Sequence, residues 1–260
     1  MILNHKVFGS SKNKIIILHG LLGSLDNWVT VAKNLASHGF EIILIDQRNH
    51  GKSFHADQFD YETMSEDLKN FLDEKKIQKV SLIGHSMGGK TIMNFILNYP
   101  SYANKVIVVD ILPKAYDNDY EKIFNAFSKM DLNNLKSRKQ IDEYFSGFFS
   151  DYTFVSFLSK NINRDSNGNF KIKFNLNSIR SNISKITSAI KIDRVFNEDI
   201  LFMKGEYSNY IDNQGLFEAK KSFPKLNLVT IENSSHWIHY ENQKKFLLET
   251  LNYLRTWILK

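Results

Sequence analysis

The sequence predicts an α/β fold, a mostly parallel, doubly wound sheet with an inserted, mainly helical cap. Short apolar runs rich in β-branched residues alternate with stretches of helical period, and most of the runs are continuously apolar, as strands covered on both faces are. The alternation breaks once, between residues 113 and 197, where two helical patterns follow in succession with no clear strand between them.

The strand candidates are 14–19, 41–46, 79–84, 105–110, 199–204 and 227–232. Ile15-Ile16-Ile17-Leu18 and Val106-Ile107-Val108-Val109 typify them. Crossover helices follow from apolar residues at i, i+3 and i+4: Trp28, Val31, Ala32 and Leu35; Leu68, Phe71 and Leu72; Ile92, Phe95 and Ile96. A last stripe, Leu247, Leu248, Leu251, Leu254 and Ile258, predicts a helix covering the final strand. Within the break, Tyr120, Ile123, Phe124 and Phe127 form one helical face, and Ile141, Tyr144, Phe145, Phe148 and Phe149 another. A turn at Asn167-Gly168 leads into Phe170, Ile172 and Phe174, which alternate as a short strand does. The expected division is a core of 1–112 and 198–260 with a cap of 113–197, whose rings pack it onto the core or line a substrate cleft.

A chain of 260 residues with 42% hydrophobic and 13% aromatic content can bury one large core. Its net charge of +6 raises nucleic acid or an anionic membrane as partner, but the basic residues are nearly all Lys, scattered among Asp and Glu. A solvated lysine-rich surface is the expectation, with no nucleic-acid partner. The absence of cysteine excludes disulfides and thiolate metal sites. The segment MILNHKVFGSSKNK lacks a continuous apolar stretch, and no later run reaches the length of a membrane span, so a cytoplasmic location is expected.

Chemistry is concentrated in three places. Gly84-His85-Ser86-Met87-Gly88-Gly89 follows an apolar run and precedes a helical pattern, the strand-turn-helix context of a G-x-S-x-G nucleophile elbow. Ser86 is the candidate nucleophile. His19-Gly20-Leu21-Leu22-Gly23-Ser24 follows the first listed run; its Leu21 amide and that of Met87 are the candidate oxyanion donors, with His19 a brace for the loop. His236, after the last run, is the candidate general base, while His239 belongs behind the site or at the surface. An acid is expected just past 199–204, yet Ser208 and Asn209 stand there. Asp110, at the end of the neighbouring run, is the leading candidate, with Glu206 and Asp212 as alternatives.

These motifs, together with Asp46-Gln47-Arg48-Asn49-His50-Gly51-Lys52-Ser53, Lys90 after the elbow, Asp110-Ile111-Leu112-Pro113 and Gly205…Ser208…Tyr210, resemble the α/β-hydrolase superfamily across nearly the whole chain. Within it they are similar to the YbfF-type bacterial esterases and their mitochondrial abhydrolase relatives. The resemblance implies a serine esterase that takes its acid from the strand before the cap, supporting Asp110, Ser86 and His236. It implies hydrolysis of short- to medium-chain acyl esters without metal or organic cofactor, with acyl-CoA thioesters an extension of the same chemistry if basic residues gather at the cap mouth. Arg48 and His50 are expected to brace the loop beside the site. A carbon–carbon bond hydrolase or menaquinone-pathway lyase of the same fold is the rival activity, and a non-catalytic ligand-binding protein the rival class.

Overall fold

A computed structural model describes residues 2–117 and 119–255. Its main sheet has seven strands in the order β1-β3-β2-β4-β5-β8-β9. These are β1 (His5–Phe8), β2 (Lys14–Leu18), β3 (Glu41–Ile45), β4 (Val80–His85), β5 (Ala103–Val109), β8 (Ile200–Gly205) and β9 (Leu226–Ile231). All neighbours are parallel except β1 with β3. Period-two geometry sends Ile16 and Leu18 to one face of β2 and Ile15 and Ile17 to the other, so each face carries its own core. Helices α2 (Tyr61–Glu74) and α3 (Met87–Asn98) cover the first face. The second is covered by α1 (Val29–Ser37) and α11 (Gln243–Arg255), with α10 (Ile238–Glu241) leading into α11. Helix α9 (Asn213–Lys220) joins β8 to β9.

Three features differ from the sequence expectation. Strand β1 was not expected: it is four residues long with Val7 exposed, too short and too open for a clear pattern. Strand β9 is not continuously apolar, because as an edge strand it leaves Asn227, Leu228 and Thr230 exposed. Between β5 and β8 the structure is richer than two helices and a strand. It contains α4 (Glu121–Ser128), α5 (Arg138–Ser146), α6 (Tyr152–Ser159), the antiparallel hairpin β6 (Ile162–Arg164) with β7 (Phe170–Ile172), α7 (Leu176–Ser181) and α8 (Ile183–Thr187). Phe148 and Phe149 lie past the end of α5, and Phe174 lies past β7, buried against Phe127. Ile258 falls outside the described residues.

The cap returns to the core through a polar strap. Tyr61 Oη donates to Ile186 O at 2.7 Å, Tyr116 N to Thr187 O at 2.8 Å, and Lys90 Nζ to Ser188 O at 2.6 Å. Lys90 is buried, with Tyr61 and Tyr116 rings beside its ammonium, and desolvation pulls its pKa down to about 7. An unfolded lysine titrates near 10.4, so between pH 7 and about 10 the unfolded chain holds a proton that the folded chain has released. Wild-type stability should therefore rise with pH in that window relative to Lys90→Met. Chemical denaturation at pH 7 and pH 10 should shift the difference between the two proteins by a few kcal/mol, about 1.4 per unit of displaced pKa; a constant difference contradicts the reading of Lys90.

Candidate active site

Strand β4 passes into α3 through a single residue. Ser86 has φ 52° and ψ −117°, a conformation that costs a non-glycine residue about 1–3 kcal/mol and must be held from outside. Ser86 N donates to Val109 O at 3.0 Å, and Lys90 N donates to Ser86 O at 3.1 Å. The turn is close-packed. A Cβ at Gly84 would sit 2.4 Å from Gly88 O, and one at Gly88 would sit 2.5 Å from Leu18 O. The spacing of glycines around the serine is therefore steric, and its result is a half-buried Ser86 at the carboxyl edge of the sheet.

His236 lies on the loop after β9, and its Nδ1 donates to Asp110 Oδ2 at 2.8 Å. Asp110 follows β5 and is fully buried. A buried carboxylate needs donors, and it has them: Gly205 N donates to Oδ1 at 3.0 Å and Ser208 Oγ to Oδ2 at 2.5 Å. The ring of Tyr210 stacks on His236 with centroids 4.0 Å apart. Ser208, which in the sequence stands where an acid was expected, thus supplies a donor to an acid carried by the adjacent strand.

The two alternatives lie elsewhere. Glu206 Oε2 accepts from Asn233 N at 2.8 Å, and Asp212 caps α9 and pairs with Lys114. The structure brings together Ser86, His236 and Asp110, and neither Glu206 nor Asp212 joins them.

The loop after β2 is braced by neutral imidazoles. Leu22 N donates to His50 Nε2 at 3.1 Å, while His50 Nδ1 donates to Arg48 O at 3.0 Å. Gln47 N donates to His19 Nε2 at 3.0 Å, and His19 Nδ1 donates to Gly20 O at 2.8 Å. Burial lowers the pKa of both rings, that of His50 to about 3, which leaves their Nε2 atoms free to accept. Arg48 is turned to Asp67 on α2, at 2.5 and 2.8 Å. The Leu22 amide is thereby occupied, and Leu21 lines the cleft beside it. Met87 opens α3, where an amide has no intrahelical acceptor.

Ser86 and His236 share a cleft of about 840 Å³ between sheet edge and cap. Phe154 and Phe157 of α6 meet Trp237 across it, at centroid separations of 5.9 and 5.5 Å. His239 is not at the surface: it is buried, and its ring stacks on Trp28 at 4.0 Å. The Gly205…Ser208…Tyr210 motif is visible in the sequence, but the contacts of Ser208 with Asp110 and of Tyr210 with His236 are not, because each partner lies tens of residues away.

The family model for the alpha/beta hydrolase fold matches residues 13–243. The chain belongs to that family. It is 31% identical to the sn-1-specific diacylglycerol lipase ABHD11 of Danio rerio over 248 residues, 93% of this chain and 78% of that protein. It is 29% identical to esterase YbfF of Escherichia coli, covering 94% of each. A solved marine microorganism esterase superposes with a TM-score of 0.93 at 41% identity, over 97% of this chain and 99% of that one. Among the described residues no helix is long and apolar enough to cross a membrane.

Proposed function

We propose that this protein is a serine esterase acting on short- to medium-chain acyl esters through an acyl-enzyme. It is a carboxylic ester hydrolase of its family. The observation that carries the finer reading is one arrangement: a serine on a strained elbow, in one cleft with an imidazole hydrogen-bonded to a buried, fully donated-to carboxylate. Ser86 Oγ attacks the acyl carbonyl while His236 Nε2 takes its proton, and Asp110 holds the imidazole with its proton on Nδ1 and stabilises the imidazolium that forms. The tetrahedral oxyanion rests on the amides of Leu21 and Met87, at the dipole-positive start of α3. His236 then protonates the leaving alkoxide, and water attacks the acyl-enzyme with His236 again as base. The cap, residues 113–197, contributes the aromatic wall that receives the acyl chain.

Charge in the cleft does not select an acyl-CoA over a neutral ester. Arg138, Lys160 and Lys173 line it, but so do Asp26, Asp119 and Asp142. Lys173 is paired with Asp26 at 3.2 Å, and Arg138 donates to the carbonyls of Ser159 and Ile162. An attractive field capable of steering an anion would raise kcat/KM by roughly 10-fold or more. We expect S-butyryl-CoA and the neutral S-butyryl-N-acetylcysteamine to be turned over with kcat/KM within about threefold of each other and little salt dependence. A tenfold preference for the CoA ester that salt abolishes would instead place a CoA-binding cation at the mouth.

The test of the main reading is hydrolysis of p-nitrophenyl esters from acetate to decanoate by wild type beside Ser86→Ala. Activity confined to wild type, falling off at the long chains, is the expected result. Equal turnover by both proteins overturns it.

A further inference from the structure

The residue just before the nucleophile has a side chain that the mechanism above does not use. His85 is buried at the end of β4, and its Nε2 lies 2.9 Å from the backbone oxygen of His236. A carbonyl can only accept, so the imidazole carries its proton on Nε2 and donates it. Desolvation, and charge on His236 and His239, push the His85 pKa well below the ordinary histidine value, which keeps the ring neutral in this one tautomer. Its other face is fitted to the oxyanion loop: a Cβ on Gly20 would lie 2.9 Å from His85 Nδ1.

The bond joins parts of the site that the sheet does not join. In the strand order, β5 and β8 separate β4 from β9, so nucleophile and base arrive from strands three places apart. Towards β8, the loop carrying His236 is well anchored. Asn233 N donates to Glu206, Tyr207 N donates to Ser234 O at 2.9 Å, and Ser235 is held by Glu241. The imidazole itself is fixed to Asp110 and stacked under Tyr210. Each of these contacts ties the loop to β5, β8 or its own end of the chain. His85 ties its backbone to the elbow.

We infer that His85 is a positioning residue, whose Nε2–H fixes the main chain of His236 relative to Ser86 and so sets the distance over which the base takes the nucleophile's proton. The inference rests on the esterase reading. Proton transfer and attack need near-attack geometry, and a displacement of about 1 Å costs on the order of 100-fold in rate. Substrate binding does not depend on that distance, so the loss should fall on kcat.

The experiment compares His85→Gln, His85→Asn and His85→Leu with wild type and Ser86→Ala on p-nitrophenyl butyrate, with folding of each checked by circular dichroism melting. Glutamine places an amide donor at the reach of Nε2; asparagine places one about a bond short; leucine has none. Expected are kcat losses of roughly 10- to 100-fold in His85→Asn and His85→Leu with KM within about threefold, and recovery to within about threefold of wild type in His85→Gln. Should His85→Leu fail to fold, the contrast between Gln and Asn decides, because both are small amides differing in reach. Wild-type kcat in His85→Asn, or a His85→Gln as slow as His85→Asn, overturns the inference alone when wild type is active and Ser86→Ala is not. An inactive wild type, or an active Ser86→Ala, overturns the esterase reading and this inference with it.

Discussion

Ser86→Ala is expected to lower kcat on p-nitrophenyl butyrate by about 10⁴-fold or more and to abolish covalent labelling by a fluorophosphonate. Loss of a nucleophile removes the acyl-enzyme route entirely; what remains is the background supplied by oxyanion donors and binding. The substitution is mild for the fold. Ser86 is half-buried, and the backbone bonds that hold its strained turn, to Val109 O and from Lys90 N, do not involve the hydroxyl. A melting temperature within a few degrees of wild type should accompany the loss. A variant that folds normally and still forms a covalent adduct would move the nucleophile elsewhere in the cleft.

The second large effect is expected from Asp110→Asn, a loss of roughly 10⁴-fold in kcat. An amide at this position presents a donor as well as an acceptor. Two of its neighbours, Gly205 N and Ser208 Oγ, already donate to the carboxylate, so the amide NH₂ would be driven towards His236 Nδ1. His236 would then have to accept on Nδ1 and carry its proton on Nε2, the nitrogen that must be bare to act as base. The same network predicts that Ser208→Ala is gentler, about 10-fold, because it removes one of several donors and leaves the charge and tautomer in place. Kinetics of both variants beside wild type check the pair. Full activity in Asp110→Asn would remove Asp110 from the mechanism, and the position of Glu206, turned to Asn233 N, makes it a poor replacement.

Much of this was legible along the chain. The buried parallel strands appear as apolar runs because both faces are covered, and the elbow is readable because its glycines are demanded by contacts within a few residues and with the next strand. His236 was found by its order after the last strand. The edge strands were harder to read: β1 is short and open, and β9 carries polar residues on its solvent side. The small helices α6, α7 and α8 are hard to read because helices of five to eight residues make at most about two turns and leave little room for a stripe.

Local sequence thus determined the class of fold, the strand-to-helix turn that carries Ser86, the place of His236 after the last strand, and the helical segment between β5 and β8, since each depends on periodicity or on residues adjacent in the chain. Tertiary structure decided what surrounds them. That Asp110 and not Glu206 or Asp212 faces the imidazole, that Ser208 serves it, that His239 lies under Trp28 and that His85 reaches the carbonyl of His236 are all pairings across tens to more than a hundred residues. Such pairings are set by strand order and register, which place the ends of β4, β5, β8 and β9 side by side, and no spacing within a single segment encodes them.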